Sequence, residues 1–213
     1  MTRGRFIAFE GGEGTGKSTQ ARLLAEALTE SGIDVELTRE PGGTPGAEAI
    51  RALLLDPPGE GWGGAAEALL FAAARADHVA RRIHPALDAG RWVVCDRFVD
   101  SSRAYQGGAG GVGDEAVQAL HAIGSEGLRP DLTLLIRVAP EVAAERLLAR
   151  DADGSDAIGG RNAGYHARVA EAFARFATAD PSSFVVIDGN GTPREVHERV
   201  LDALAPFLRE AHA

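Results

Sequence analysis

The sequence predicts an α/β fold: a five-stranded parallel sheet covered by helices on both faces, in three layers. Three observations predict it: short apolar runs rich in β-branched and aromatic residues, intervals between them long enough for helices, and helical apolar spacing inside those intervals. The runs lie at residues 6–9, 35–38, 92–95, 132–138 and 184–187, and each is near-continuously apolar, as a strand buried on both faces must be.

After the first run, Ala21, Leu24, Ala25 and Leu28 recur at helical spacing, and Gly32 stands where a helix stop belongs. The third run contains the single cysteine, Cys95, which reads as a small buried hydrophobe. Between the fourth and fifth runs, Val169, Phe173 and Phe176 repeat the helical pattern. The last helix announces its start with Thr192 as cap, Pro193 in the first turn and Glu195 three residues after the cap. Segments 56–64 and 107–113 are turn-rich and read as loops. Segment 151–160 is small, acidic and glycine-bearing between two helices, which makes it a lid candidate as well as an ordinary surface loop. None of the three is long enough to link domains, so residues 1–213 are expected to form one domain with a lid at about 150–161.

Composition bounds the function. Apolar residues make up 45% and charged residues 25% of 213, values that exclude a disordered or disulfide-framework chain. Twenty-two Lys and Arg against 31 Asp and Glu leave a net charge of −9, which disfavours polymeric nucleic acid and anionic membrane surfaces as partners. A lone cysteine cannot form an internal disulfide, the opening apolar stretch meets Glu10 too soon for a secretory leader, and no apolar run approaches the ~18 residues of a membrane span. A cytoplasmic protein is expected. The six histidines show no zinc-ligand spacing, and Asp151, Asp153 and Asp156 fail the calcium-loop pattern at Asp156 and Asn162.

Directly after the first run comes Gly11-Gly12-Glu13-Gly14-Thr15-Gly16-Lys17-Ser18, which fits G-x-x-x-x-G-K-[ST] in a strand–loop–helix setting. Its glycines allow backbone N–H groups to converge on phosphate, the following helix adds the positive end of its dipole, Lys17 adds charge and Ser18 can ligate Mg²⁺. A P-loop nucleoside triphosphatase core follows, with ATP or a related triphosphate as guest. Asp96, at the end of the third run, can hold Mg²⁺ in the manner of a Walker B acid or cap the helix after it. These residues leave open a phosphotransferase or a nucleotide-driven switch. The chain lacks an Asn-Lys-x-Asp guanine-reading segment, and Arg39, Arg51, Arg75, Arg97 and Arg103 could form a second anion site, which favours a kinase acting on a small phosphate ester.

Beyond the phosphate loop, the strings Thr38-Arg39-Glu40-Pro41-Gly42-Gly43-Thr44, Leu70-Phe71-Ala72-Ala73-Ala74-Arg75 and Asp96-Arg97-Phe98-Val99-Asp100-Ser101-Ser102-Arg103-Ala104-Tyr105-Gln106-Gly107 follow in order. With them the chain resembles the bacterial thymidylate kinases over nearly its whole length. That resemblance implies transfer of the ATP γ-phosphoryl to dTMP, a nucleoside monophosphate kinase fold and a homodimer. It implies an ATP site at Gly11, Gly12, Glu13, Gly14, Thr15, Gly16, Lys17, Ser18 and Thr19, with Arg146 stacked on adenine and Mg²⁺ at Ser18 and Asp96.

For dTMP it implies Phe71 against the thymine ring, Arg75 and Gln106 at its polar edge, Ser102 beside it, and Arg51 and Arg97 on its phosphate. Glu13 and Glu40 would lie near the deoxyribose and the acceptor phosphate, and Tyr105 would crowd the sugar 2′ position. Without the resemblance, Phe71 would read as core and Arg75 as a solvated helix arginine. Lys17, Arg97 and Glu13 are the expected groups at the reacting centre, together with one arginine from the lid. Here the chain departs from the family: the usual Asp-Arg-Ile-Glu lid string is replaced by Asp156-Ala157-Ile158-Gly159. Arg150, Arg161 and Arg168 are the candidates for the missing cation, with Arg150 favoured at the helix end entering the lid.

Overall fold

Five strands, β1 (Phe6–Glu10), β2 (Val35–Arg39), β3 (Trp92–Asp96), β4 (Leu132–Arg137) and β5 (Phe184–Asp188), pair in parallel in the spatial order β2-β3-β1-β4-β5. The structure is a computed structural model that describes residues 3–150 and 156–211, with side chains except at Arg150, Glu210 and Ala211. Every residue of β1 is buried, so this strand can only be central, whereas the edge strands depart from the expected burial on both faces: β2 is buried only at Thr38, and β5 only at Phe184 and Ile187. The alternation of β1 divides the core. Ile7 and Phe9 face Leu24, Leu28 and Val200 on one side, while Phe6 and Ala8 face Val79, Ile83 and Phe98 on the other.

The first layer is made by α1 (Lys17–Glu30) and α9 (Pro193–Ala211), which pack against each other. Ala21, Leu24, Ala25 and Leu28 form the buried stripe of α1, and Gly32 follows its end at φ 81°. At the start of α9, the Thr192 N–H donates to Glu195 Oε2 at 2.7 Å and the Glu195 N–H donates back to Thr192 Oγ1 at 3.3 Å, the reciprocal cap the sequence predicts. Across the sheet, α2 (Pro45–Leu55) packs on α3 (Gly64–His78), and α3 on α6 (Asp114–Ser125). α3 runs through a wide helical turn, Val79–Ile83, into the short α4 (His84–Asp88).

Two segments read from sequence as loops are partly helical. Gly64 is already the first residue of α3, and α5 (Val99–Ser102) continues through a wide-turn helix, Arg103–Ala109, that absorbs Gly107 and Gly108. The Gly110 N–H donates to the Tyr105 carbonyl at 2.7 Å, one residue further back than an α-helix reaches. Packing of this helix against α8 (Ala163–Ala179) overrides the weak intrinsic helicity of the glycines. Of the expected lid, residues 151–155 lie outside the described part. Residues 156–161 form tight turns after α7 (Pro140–Arg150).

Candidate active site

β2 and β3 lie on one side of β1 and β4 and β5 on the other, so the winding of the sheet switches sides beside the carboxyl end of β1. Ligands of open α/β sheets bind at such a point. There the structure opens a cavity of about 700 Å³, bounded by the phosphate loop, the end of β3, and residues of α2, α3, α5 and the helix after it.

The phosphate loop is shaped by glycine. Gly14 lies at φ 71°, where a Cβ would come within 2.6 Å of the Ala143 carbonyl of α7. Gly16 caps α1 with no side-chain bond, so the first N–H groups of that helix keep their capacity for an anion. Lys17 is buried and donates to the Gly12 carbonyl at 2.5 Å, which holds its ammonium inside the loop. Burial, reinforced by the Arg97 charge and only partly offset by Glu13, Asp96 and Glu10, lowers its pKa to about 8. Thr15 Oγ1 also donates to the Gly12 carbonyl, and Arg97 donates to that of Gly11, so both carbonyls are engaged within the protein.

Ser18 donates to Asp96 Oδ2 at 2.5 Å, across 78 residues of sequence. The other oxygen, Asp96 Oδ1, is buried without a partner. A hydroxyl and a carboxylate with a vacant lone pair at the mouth of a triphosphate loop are a donor set for a hard divalent cation that keeps most of its water, so the residues fit Mg²⁺. Among the described residues no group of three or more His, Cys, Asp or Glu side chains could hold a metal by itself.

Arg97 occupies the left-handed region at φ 69°, rare for a residue with a side chain. That turn swings its guanidinium back over β1, where it donates to Gly11, Ser101 and Glu13 and lies 5.2 Å from the Tyr105 ring centre. Glu10 fixes the turn: its carboxylate accepts from the Phe98 and Ser101 N–H groups at 2.9 Å each and from Ser101 Oγ at 2.6 Å. Burial and the nearby Asp100 push the Glu10 carboxyl up to about 7. Tyr105 donates to Glu13 at 3.0 Å, and burial raises its pKa further above neutrality, so the phenol stays protonated.

The part of the cavity away from the phosphate loop has two cationic corners. Arg51 donates to the Pro41 carbonyl at 2.7 Å and lines the cavity with Arg39; burial and that like charge lower its pKa. Arg75 is buried, donating from Nε to Glu40 at 2.7 Å and from its terminal nitrogen to Ser102 Oγ at 2.8 Å. Burial opposes the Glu40 charge, but Arg75 and His78 outweigh it and hold the carboxyl below its ordinary value. Phe71 is half-buried on α3, with one side packed on the cluster of Ala104 and Tyr105 and the ring open to the cavity. Gln106 is buried beside it.

The expected residues Glu13, Gly14, Gly16, Lys17, Ser18, Thr19, Glu40, Arg51, Phe71, Arg75, Asp96, Arg97, Ser102, Tyr105, Gln106 and Arg146 all line this one cavity, while Gly11, Gly12 and Thr15 form the loop behind it. Arg146 reaches the carbonyls of Thr15, Gly189 and Gly191 at 3.2 to 3.4 Å, beside the phosphate loop. Of the lid-arginine candidates, Arg161 is paired with Glu67, and Arg168 lies 5.8 Å from the Tyr165 ring centre. The side chain of Arg150 lies outside the described part. Sequence reasoning missed Glu10 and Glu67. For Glu10 a signal existed, a carboxylate closing a wholly apolar strand next to the phosphate loop.

Residues 9–200 match the family model for thymidylate kinase. A thymidylate kinase of Rhizorhabdus wittichii is 57% identical over 205 residues, covering 96% of this chain and 99% of its own. Another from Bradyrhizobium sp. is 47% identical over 212 residues, covering 99% and 94%. The crystal structure of thymidylate kinase from Ehrlichia chaffeensis superposes with a TM-score of 0.78 at 33% identity, over 95% of this chain and 99% of that one. With a phosphate loop and a set of arginines lining one cavity at the end of the sheet, and with relatives matching from end to end, the chain belongs to the thymidylate kinase family.

Proposed function

We propose that this thymidylate kinase, which transfers the ATP γ-phosphoryl to dTMP to give dTDP and ADP for dTTP synthesis, does so across the single cavity at the end of β1. The observation that carries the reading is that Arg97 bridges the two halves, touching the phosphate loop through Gly11 and Glu13 while lining the pocket that holds Phe71. Phosphoryl transfer asks mainly for in-line placement and for cations where charge develops.

In this reading Lys17 and the N–H groups opening α1 hold the ATP phosphates, with Arg146 against adenine. Arg51 and Arg97 grip the dTMP phosphate with planar guanidinium forks, which suit phosphate better than an ammonium. Phe71 supplies a stacking face for thymine, Arg75 and Gln106 address its polar edge, with Ser102 beside it, and Tyr105 crowds the 2′ position. Glu13 and Glu40 face the sugar and phosphate of the acceptor, and Glu13 also restrains Arg97 until substrate arrives. Ser18 and Asp96 would hold Mg²⁺, which when bound neutralises charge on the transferring phosphate.

Exposed Leu53, Leu69 and Ile123 lie on α2, α3 and α6, which pack side by side, and this supports a homodimer. Among the described residues no helix is long and apolar enough to cross a membrane, and a cytoplasmic site of action is part of the proposal. The test is an ADP-release assay with a panel of monophosphate acceptors: dTMP is expected to give the highest kcat/KM, and equal turnover of purine monophosphates would overturn the reading.

A further inference from the structure

Among the described residues that line the cavity, two side chains, Asp96 and Gln106, have a buried polar atom with no partner, and Gln106 is the one beside Phe71. Its Oε1 is buried and has no partner, while its Nε2 donates to Glu67 Oε1 at 2.8 Å. Glu67 is a buried residue of α3 that does not line the cavity, and its second oxygen accepts from Arg161, at the end of the lid turns. Arg161 is itself held: it donates to the Tyr165 hydroxyl and lies 4.6 Å from that ring centre, and Tyr165 donates to the Tyr105 carbonyl at 2.7 Å.

A carboxylate paired with a guanidinium can only accept hydrogen bonds. The atom that Gln106 turns to Glu67 must therefore be its NH₂, and its carbonyl oxygen must be the atom left over. An unpaired glutamine amide has no such preference, since its two ends are nearly the same shape and can exchange by rotation.

We infer that Glu67, paired with Arg161 and held in place by it, is a specificity-determining positioning residue: it locks the Gln106 amide so that only a base carrying an N–H at that edge is bound well. Thymine offers a donor at N3. The 5-methylcytosine ring offers an acceptor there, which would face the Gln106 carbonyl with both groups unpaired. A buried polar group built to meet a donor rejects an analogue lacking it by a large factor. The inference rests on the proposal that Gln106 faces the thymine edge. It goes beyond it by assigning selectivity to two residues that touch no substrate, one of them in the lid segment.

The experiment compares dTMP with 5-methyl-dCMP in the Glu67→Gln, Arg161→Met, Arg161→Lys and Gln106→Leu variants. Glu67→Gln keeps the volume but can present either an acceptor or a donor, which releases the lock. It is expected to raise KM for dTMP about tenfold and to shrink the dTMP to 5-methyl-dCMP ratio of kcat/KM about tenfold, with KM for ATP unchanged and kcat within about threefold. Arg161→Met is expected to move both quantities the same way and carries the test if Glu67→Gln does not fold; Arg161→Lys is expected to restore most of the loss. If Gln106→Leu loses the selectivity while the foldable Glu67 and Arg161 variants keep the wild-type ratio, the lock is overturned and the base-edge reading stands. If Gln106→Leu keeps the wild-type ratio, the base-edge reading falls and the lock with it.

Discussion

Arg97 donates to Glu13 Oε1 at 2.5 Å, a bond that ties the turn after β3 to the phosphate loop 84 residues earlier. The pair is mostly buried, with each side chain 16% exposed, and the left-handed backbone at Arg97 exists to make it possible. A guanidinium so placed can pass from Glu13 to an incoming phosphate with a small rotation, while Ser101 and Gly11 keep hold of its other nitrogen.

From this geometry, Arg97→Lys is expected to lower kcat at least ~10²-fold, because an ammonium cannot serve Glu13, Ser101 and a phosphate from one planar fork. KM for ATP should change little, since Lys17 and the α1 N-terminus remain. Steady-state kinetics on the purified variant check this; a kcat within threefold of wild type would take Arg97 out of the reacting centre.

Lys17 carries the second expectation. With its pKa lowered to about 8 by burial and the Arg97 charge, the free enzyme loses the ammonium as pH rises through 8, whereas a bound triphosphate favours the charged form. ATP binding should therefore weaken above pH 8, toward tenfold per pH unit, and should take up a proton at pH 8.5. Titration calorimetry in buffers of differing ionisation enthalpy measures that uptake, and binding with no proton exchange at pH 8.5 contradicts the assignment.

The lid arginine is the third. Arg161 is committed to Glu67 and Tyr165, and Arg168 reaches the Ala109 carbonyl at 3.4 Å. Arg150→Ala is thus expected to reduce kcat at least ~10²-fold, as loss of a transition-state cation does, and Arg168→Ala to leave kcat near wild type. Equal kcat for Arg150→Ala and wild type would remove Arg150 from the mechanism.

The sheet was largely legible in the sequence, and where the reading stopped short the reason is chemical. Four strands run one residue beyond their apolar runs, ending in Glu10, Arg39, Asp96 and Asp188. Hydrophobic patterning stops at a charge, yet two of those ends, Arg39 and Asp96, line the crevice, and a third, Glu10, fixes the turn that carries Arg97. Glu67 could not be found this way. Its meaning comes from Gln106 and Arg161, 39 and 94 residues distant, and no local period encodes such a pairing. Gly107 and Gly108 read as a loop because glycine's intrinsic preference is visible locally, while the packing of α8 that overrides it is not.

Glu10 gives the last expectation. Its carboxyl, pushed up to about 7 by burial and Asp100, binds a proton more readily in the folded chain than in the unfolded one, where the ordinary value is 4.5. The sign follows from linkage: the stabilising contribution is fully present below pH 4.5 and is lost as pH rises through 7. Over that window the loss amounts to about 2 to 3 kcal/mol for a fully buried group. Carboxyls held low, such as Glu40 and Glu48, act in the opposite direction, so the raw stability profile mixes the two. Glu10→Gln separates them. The amide can still accept from the Phe98 and Ser101 N–H groups but does not titrate, so denaturant unfolding should show the variant gaining about 2 to 3 kcal/mol on wild type between pH 4.5 and 7. Parallel profiles for the two proteins would mean that Glu10 titrates normally and that the turn bearing Arg97 does not depend on its charge.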